Sequence, residues 1–322
     1  MNDLSNLFSA FNKKIVLTDT YKENIRRGRE ALREKINASY IDNGLSAPKH
    51  SSQGSFHMHT AIMPKEEEDF DLDNGVYLQG YATDQTNWPA PRSVHDDILS
   101  AVKGHTKDIS DKDTCIRVNY QDNYHIDLPI YIMGKDDTGN DVAYLAHTTK
   151  DWQISDPKAL SDWFTEKVKE HGKVLRRTVR YLKAWTHHNS INLKGITITI
   201  LASECFYSDD NDSLILLGTI TNIIDRLEDD FTCYKPVRPK NEDLLSSYTY
   251  NEQQTLLEDL KTLKNKFNDA IYDSPNEREA SEVLRELFGS RFPLGNRENK
   301  NGEDYLKTNQ PESVGGKNRH YA

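Results

Sequence analysis

Two aspartates one residue apart, Asp71 and Asp73, and a third at Asp127 are the residues of this chain best suited to chemistry. Asp71 and Asp73 fall where Phe70, Leu72, Val76 and Leu78 alternate with polar positions, which predicts a strand over 70–78 with one acidic face. Side chains at i and i+2 of a strand leave the same face, roughly 7 Å apart. Two hard divalent cations about 3.5–4 Å apart need bridging carboxylate oxygens from such a pair and a further carboxylate from a neighbouring strand. Asp127 suits that part, because Ile126, Leu128, Ile130 and Ile132 form one face of a predicted strand while His125, Asp127 and Tyr131 form the other. Asp69 shares the acidic face and rivals Asp71. Asn74-Gly75, read as a bend closing the site, favours Asp71. A solvated acidic loop over 66–73 would account for the same residues without any chemistry.

Eighteen residues before Asp73 stands Ser55, in the segment Gln53-Gly54-Ser55. A Gly-Ser turn ahead of a helix can aim backbone N–H groups and a hydroxyl at phosphates. Such turns are common, and this one gains meaning from its place ahead of the acidic strand. Farther on, Arg176, Arg180 and Lys183 share a helical face at spacings of four and three, where cations could meet a triphosphate. The plainer account is a solvated basic face backed by Val179, Leu182 and Trp185. His57, His59, His187 and His188 lack the carboxylate or cysteine spacing of a zinc site.

The elements that must hold these residues read as follows. A helix is predicted over 19–37, a connector over 41–52 and a helix over 94–102. Strands over 114–120 and 124–132 flank the turn Gln121-Asp122-Asn123. After Lys150 the pattern turns helical. Asp156-Pro157 marks a helix start, and helices follow over 157–170, 173–188, 194–207, 213–228, 251–271 and 276–288. The expected organisation is a core over 1–155, a helical domain over 156–295 and a flexible tail over 296–322, which is polar and nearly devoid of apolar residues.

The 322 residues are 36% hydrophobic and 29% charged, and no apolar run approaches the ~18 residues of a membrane span. The first residues lack a secretory pattern, and Cys115, Cys205 and Cys233 form no CxxC pair, so a reducing cytoplasm is expected rather than a disulfide framework. A net charge of -10 argues against long nucleic acids as partners, although nucleotides remain open.

Taken together, Gly54-Ser55, Asp71-Leu72-Asp73, His125-Ile126-Asp127-Leu128-Pro129-Ile130-Tyr131 and Arg180–Trp185 resemble the bacterial cGAS/DncV-like nucleotidyltransferases of the polymerase-β superfamily. The segment 287–293 resembles a closing segment found in several members. The resemblance implies an α+β fold: a mixed sheet with helices, an N-terminal spine helix and a C-terminal helical lobe. It also implies two Mg²⁺ ions, or Mn²⁺, held by Asp71, Asp73 and Asp127, with nucleotide bound by Gln53, Gly54, Ser55, Arg180 and Lys183. The implied activity joins ATP, another NTP or both into a cyclic di- or trinucleotide, a second messenger of CBASS anti-phage defence that activates a partner effector. The terminal Ala322 fits members whose tails are conjugated by ubiquitin-transfer-like enzymes. Two other readings stand beside this one: a linear oligonucleotide or tRNA-type nucleotidyltransferase, and an inactive scaffold acting through its tail.

Overall fold

A computed structural model describes residues 2–65, 68–239 and 241–297. Ala322 and the expected tail from 298 onward lie outside the described residues.

Helix α1 (Ser5–Ile15) leads into the long α2 (Asp19–Asp42). The Thr18 hydroxyl accepts from the Tyr21 amide and caps α2, whose buried stripe is Ile25, Leu32, Ile36 and Tyr40. The helix runs past the expected end at 37, and the expected connector contains a strand, β1 (Lys49–Ser52). Lys-His-Ser-Ser has no apolar alternation. It is a strand because it pairs antiparallel with β2 (Phe70–Leu78). Between them lies one turn of helix, α3 (Gly54–His57), and after β2 comes α4 (Pro91–Val102).

Strands β3 (Asp108–Asp111), β4 (Ile116–Tyr120) and β5 (Tyr124–Leu128) form antiparallel neighbours. β6 (Ile130–Lys135), β7 (Asp141–His147) and β8 (Asp151–Ile154) do the same. β2 runs parallel to both β5 and β6 at one offset, Phe70 opposite Tyr124 and Leu78 opposite Ile132. The single strand expected over 124–132 therefore keeps one register. Pro129 interrupts its ladder because proline has no N–H, while its carbonyl accepts from the Val76 amide.

Asn74-Gly75 makes no bend. β2 continues through both, and Asn74 is buried with its Oδ1 accepting from Arg33 Nε of α2 at 2.8 Å. Glycine stands at 75 because the Gln53 amide lies across it: a Cβ there would come within 2.2 Å of Gln53 Nε2.

Five helices follow β8: α5 (Pro157–His171), α6 (Val174–His188), α7 (Gly195–Glu204), α8 (Asp212–Asp229) and α9 (Tyr250–Asn268). A π turn (Asp269–Asp273) then precedes α10 (Glu277–Phe288). Asp156 caps α5 ahead of Pro157. The apolar side chains form two main clusters. One joins the sheet to α2 and α4. The other joins the later helices to α1, whose Phe8 and Phe11 pack on Tyr181, Phe288 and Phe292. The segment after α3 bridges them, since Met58 belongs to the helical cluster and Ala61 to the sheet cluster.

Candidate active site

The strand register assembles the site. Asp71 lies opposite His125 and Asp73 opposite Asp127, and Arg117 of β4 lies opposite Asp127. Paired residues project to the same face of a sheet, so three carboxylates, a histidine and an arginine share one patch. Asp127 is buried, and Arg117 grips it with Nε–Oδ1 and Nη2–Oδ2 contacts of 2.8 Å each. His125 Nε2 comes within 3.2 Å of Asp71 Oδ1 without hydrogen-bond alignment. One ligand atom each from Asp71, His125 and Asp127 lies within 4.8 Å of the others. Asp71, rather than Asp69, joins that group.

Asp73 points instead at the Gly54 turn. A Cβ on Gly54 would fall 2.1 Å from Asp73 Oδ2, and Gly54 has φ +64°. Both facts demand glycine there. Burial, with the Asp71 and Asp127 charges adding to it, pushes the Asp73 carboxyl up to about 7. A carboxylate so placed is short of cations, and a divalent ion would reverse that balance. Two hard carboxylates on one strand and a third on the next suit an oxygen-preferring divalent cation.

The remaining expected residues divide by position. Gln53 is buried. Its backbone amide donates to the Asp73 carbonyl, its Nε2 donates to the Tyr77 hydroxyl and its Oε1 accepts from Tyr131. It thus ties α3 to the sheet behind Asp73. Ser55 and Lys183 line two adjoining chambers, of about 760 Å³ beside Asp71 and about 490 Å³ beside Asp73 and Asp127. Lys183 Nζ donates to Thr60 Oγ1 at 3.3 Å, and burial, aided by Arg180, lowers its pKa to about 8. Gly195, which also lines both chambers, lets the lysine cross: a Cβ at 195 would sit 3.2 Å from Lys183 Cε.

Arg176 and Arg180 do not share that position with Lys183. Arg176 donates to the Met58 carbonyl, and buried Arg180 donates to Asn12 Oδ1 and to the His59 carbonyl. Arg180 therefore braces the α3 turn against α1 and α6, and lines neither of the two chambers beside the carboxylates. Arg117 and His125 were not singled out from the sequence. A three-residue turn at 121–123 sets 120 opposite 124, and counting back along both strands sets 117 opposite 127.

Residues 48–131, which carry the turn and all three aspartates, match the family model of the nucleotidyltransferase domain of cyclic GMP-AMP synthase DncV-like proteins. Residues 48–131 thus carry a DncV-like nucleotidyltransferase domain. A cyclic GMP-AMP synthase of Escherichia albertii is 28% identical over 201 residues, which cover 59% of this chain and 44% of that protein. One from Escherichia coli strain TW11681 is 27% identical over 304 residues, covering 76% and 68%. The chain thus spans less than half of the first relative and about two thirds of the second. Vibrio cholerae DncV cyclic AMP-GMP synthase, solved with nonhydrolyzable GTP, superposes with a TM-score of 0.77 at 18% identity, covering 92% of this chain and 100% of that one. This likeness shows that the α+β nucleotidyltransferase fold, with its helical lobe, is shared. Among the described residues, no helix is long and apolar enough to cross a membrane.

Proposed function

We propose that this protein is a divalent-metal-dependent nucleotidyltransferase that joins ATP, another NTP or both into a cyclic di- or trinucleotide. The observation that carries the reading is the meeting of Asp71, Asp73 and Asp127 where two chambers adjoin, with Ser55 and Lys183 in the wall of both. Two chambers suit a reaction between two nucleotides: one donates an α-phosphoryl group and the other attacks through a ribose hydroxyl. Cyclic GMP-AMP synthases as relatives support the same class of product, as does a related V. cholerae enzyme solved with the linear intermediate 5′ pppA(3′,5′)pG.

Asp71, Asp73 and Asp127 would hold two ions, Mg²⁺ or Mn²⁺. When bound, these ions supply Lewis-acid charge to the phosphoryl oxygens and lower the cost of ionising the attacking hydroxyl. Arg117 fixes Asp127 in orientation through its paired hydrogen bonds. Lys183 and Ser55 present a cation and a hydroxyl to the triphosphate, and Gln53 and Gly54 set the turn that carries Ser55. In the cell the product would serve as an anti-phage alarm that activates an effector. The site of action would be the cytoplasm, and a ubiquitin-transfer-like enzyme would be a further partner.

The test incubates purified protein with each labelled NTP and Mg²⁺. A phosphatase-resistant product, identified by mass and absent when Asp71 and Asp73 are both asparagine, is the expected outcome. A product that loses terminal phosphates is linear and removes the cyclase reading. Absence of pyrophosphate release with both Mg²⁺ and Mn²⁺ removes the enzymatic one.

A further inference from the structure

His125 is the buried polar residue of this site that has no task in the reaction described above. It sits on β5 directly opposite Asp71 and two residues before Asp127. It is about nine-tenths buried, and neither ring nitrogen has a hydrogen-bond partner among the described residues. A buried imidazole with no aligned hydrogen bond carries an unmet desolvation cost, so its position calls for a ligand. Its Nε2 faces Asp71 Oδ1 at 3.2 Å. Two atoms on adjacent corners of one ion, each about 2.1 Å from it, stand roughly 3 Å apart. The spacing of Asp127 to both, within 4.8 Å, closes to a common ion after a shift of about half an ångström.

We propose that His125 Nε2 is a direct nitrogen ligand in the metal centre, binding one ion together with Asp71 and Asp127, and that the centre therefore selects Mn²⁺ or a similar first-row ion over Mg²⁺. The physical ground is ligand chemistry. Mg²⁺ takes oxygen ligands almost throughout, whereas imidazole suits first-row transition ions, and mixed carboxylate–histidine sites hold manganese. The proposal rests on the metal-dependent reading given above and goes beyond it, since three carboxylates alone would make an all-oxygen site.

The test uses the whole protein with Mn²⁺ and a non-hydrolysable nucleoside triphosphate, followed by pulsed electron paramagnetic resonance. A directly bound imidazole nitrogen imprints a ¹⁴N modulation on the Mn²⁺ echo, and labelling the histidines with ¹⁵N must change it. The modulation should be present in the wild type and absent in both His125→Gln and His125→Asn. Both variants should keep their melting temperature in EDTA, which shows that they fold. Calorimetry should show Mn²⁺ affinity falling at least about tenfold in the variants, with Mg²⁺ affinity changed much less. Bound Mn²⁺ without a nitrogen modulation, or a modulation that survives in the variants, overturns the proposal and leaves the three-carboxylate reading standing. No bound Mn²⁺ at all would remove both.

Discussion

Replacing Gly54 by alanine tests whether the α3 turn positions a reacting carboxylate. A Cβ at 54 would lie 2.1 Å from Asp73 Oδ2 and 3.2 Å from its Cγ, against an ordinary contact of 3.4 Å or more. Either the carboxylate retreats by about 1 Å or the turn opens, because packed interiors yield little. The left-handed backbone, φ +64°, adds about 1–2 kcal/mol for an alanine. For 322 residues, with an unfolding entropy of about 2.1 cal/mol/K per residue, that predicts a fall in Tm of roughly 1.5–3 °C. The displacement bears on function: misplacing a reacting group by about 1 Å costs on the order of 10²-fold in rate. Gly104→Ala is the control, since Gly104 has φ +71° and an added Cβ there meets nothing within 4 Å. Mg²⁺-dependent pyrophosphate release and thermal melts should be measured on both. A loss of Tm in both, larger for Gly54→Ala because of the added overlap with Asp73, is expected, with a loss of kcat confined to Gly54→Ala. If the two variants stay within about threefold of each other in kcat, the turn does not position Asp73 and the reasoning fails.

Four further outcomes follow from the same geometry. The metal-free protein should lose stability as pH rises from 3.8 to about 7, because over that window folded Asp73 keeps a proton that the unfolded chain has released. Urea unfolding in EDTA should show that slope in the wild type, and Asp73→Asn should flatten it. Asp71→Asn with Asp73→Asn should cut pyrophosphate release on the order of 10³-fold or more while circular dichroism stays unchanged. Arg180→Leu should cost about 2–3 kcal/mol of stability through the lost bonds to Asn12 and His59, with KM for NTP little altered; a large rise in KM without destabilisation would put Arg180 back against the phosphates. Lys183→Met should raise KM for NTP by about tenfold near neutral pH. The wild type should approach that variant above about pH 8, where Lys183 loses its charge.

Much of the site was legible because it rests on short-range patterns. Alternation along 70–78 and 124–132 gave both strands and their polar faces, and the loop at 121–123 carries enough information to pair Arg117 with Asp127. β1 was missed because Lys-His-Ser-Ser carries no period of its own. Arg176 and Arg180 were grouped with Lys183 because helical spacing reports which residues share a face. It is silent on what packs there, and the α3 turn with Asn12 of α1 packs on two of the three. Gly75 was read as a bend since a glycine's local signal is freedom, while its reason here is the Gln53 side chain lying across it.

By itself, then, the amino-acid order determined the strands over 70–78, 114–120 and 124–132, the helices of the later half and the face on which each aspartate stands, since these follow from periods of two and 3.6 residues. The offset of 54 residues that sets Asp71 beside His125 came only from the folded sheet. So did the turning of Asp73 toward Gly54 and the packing of α1 among helices from the far end of the chain. Those arrangements are fixed by which apolar faces bury one another across long stretches of chain, and no local window contains both partners.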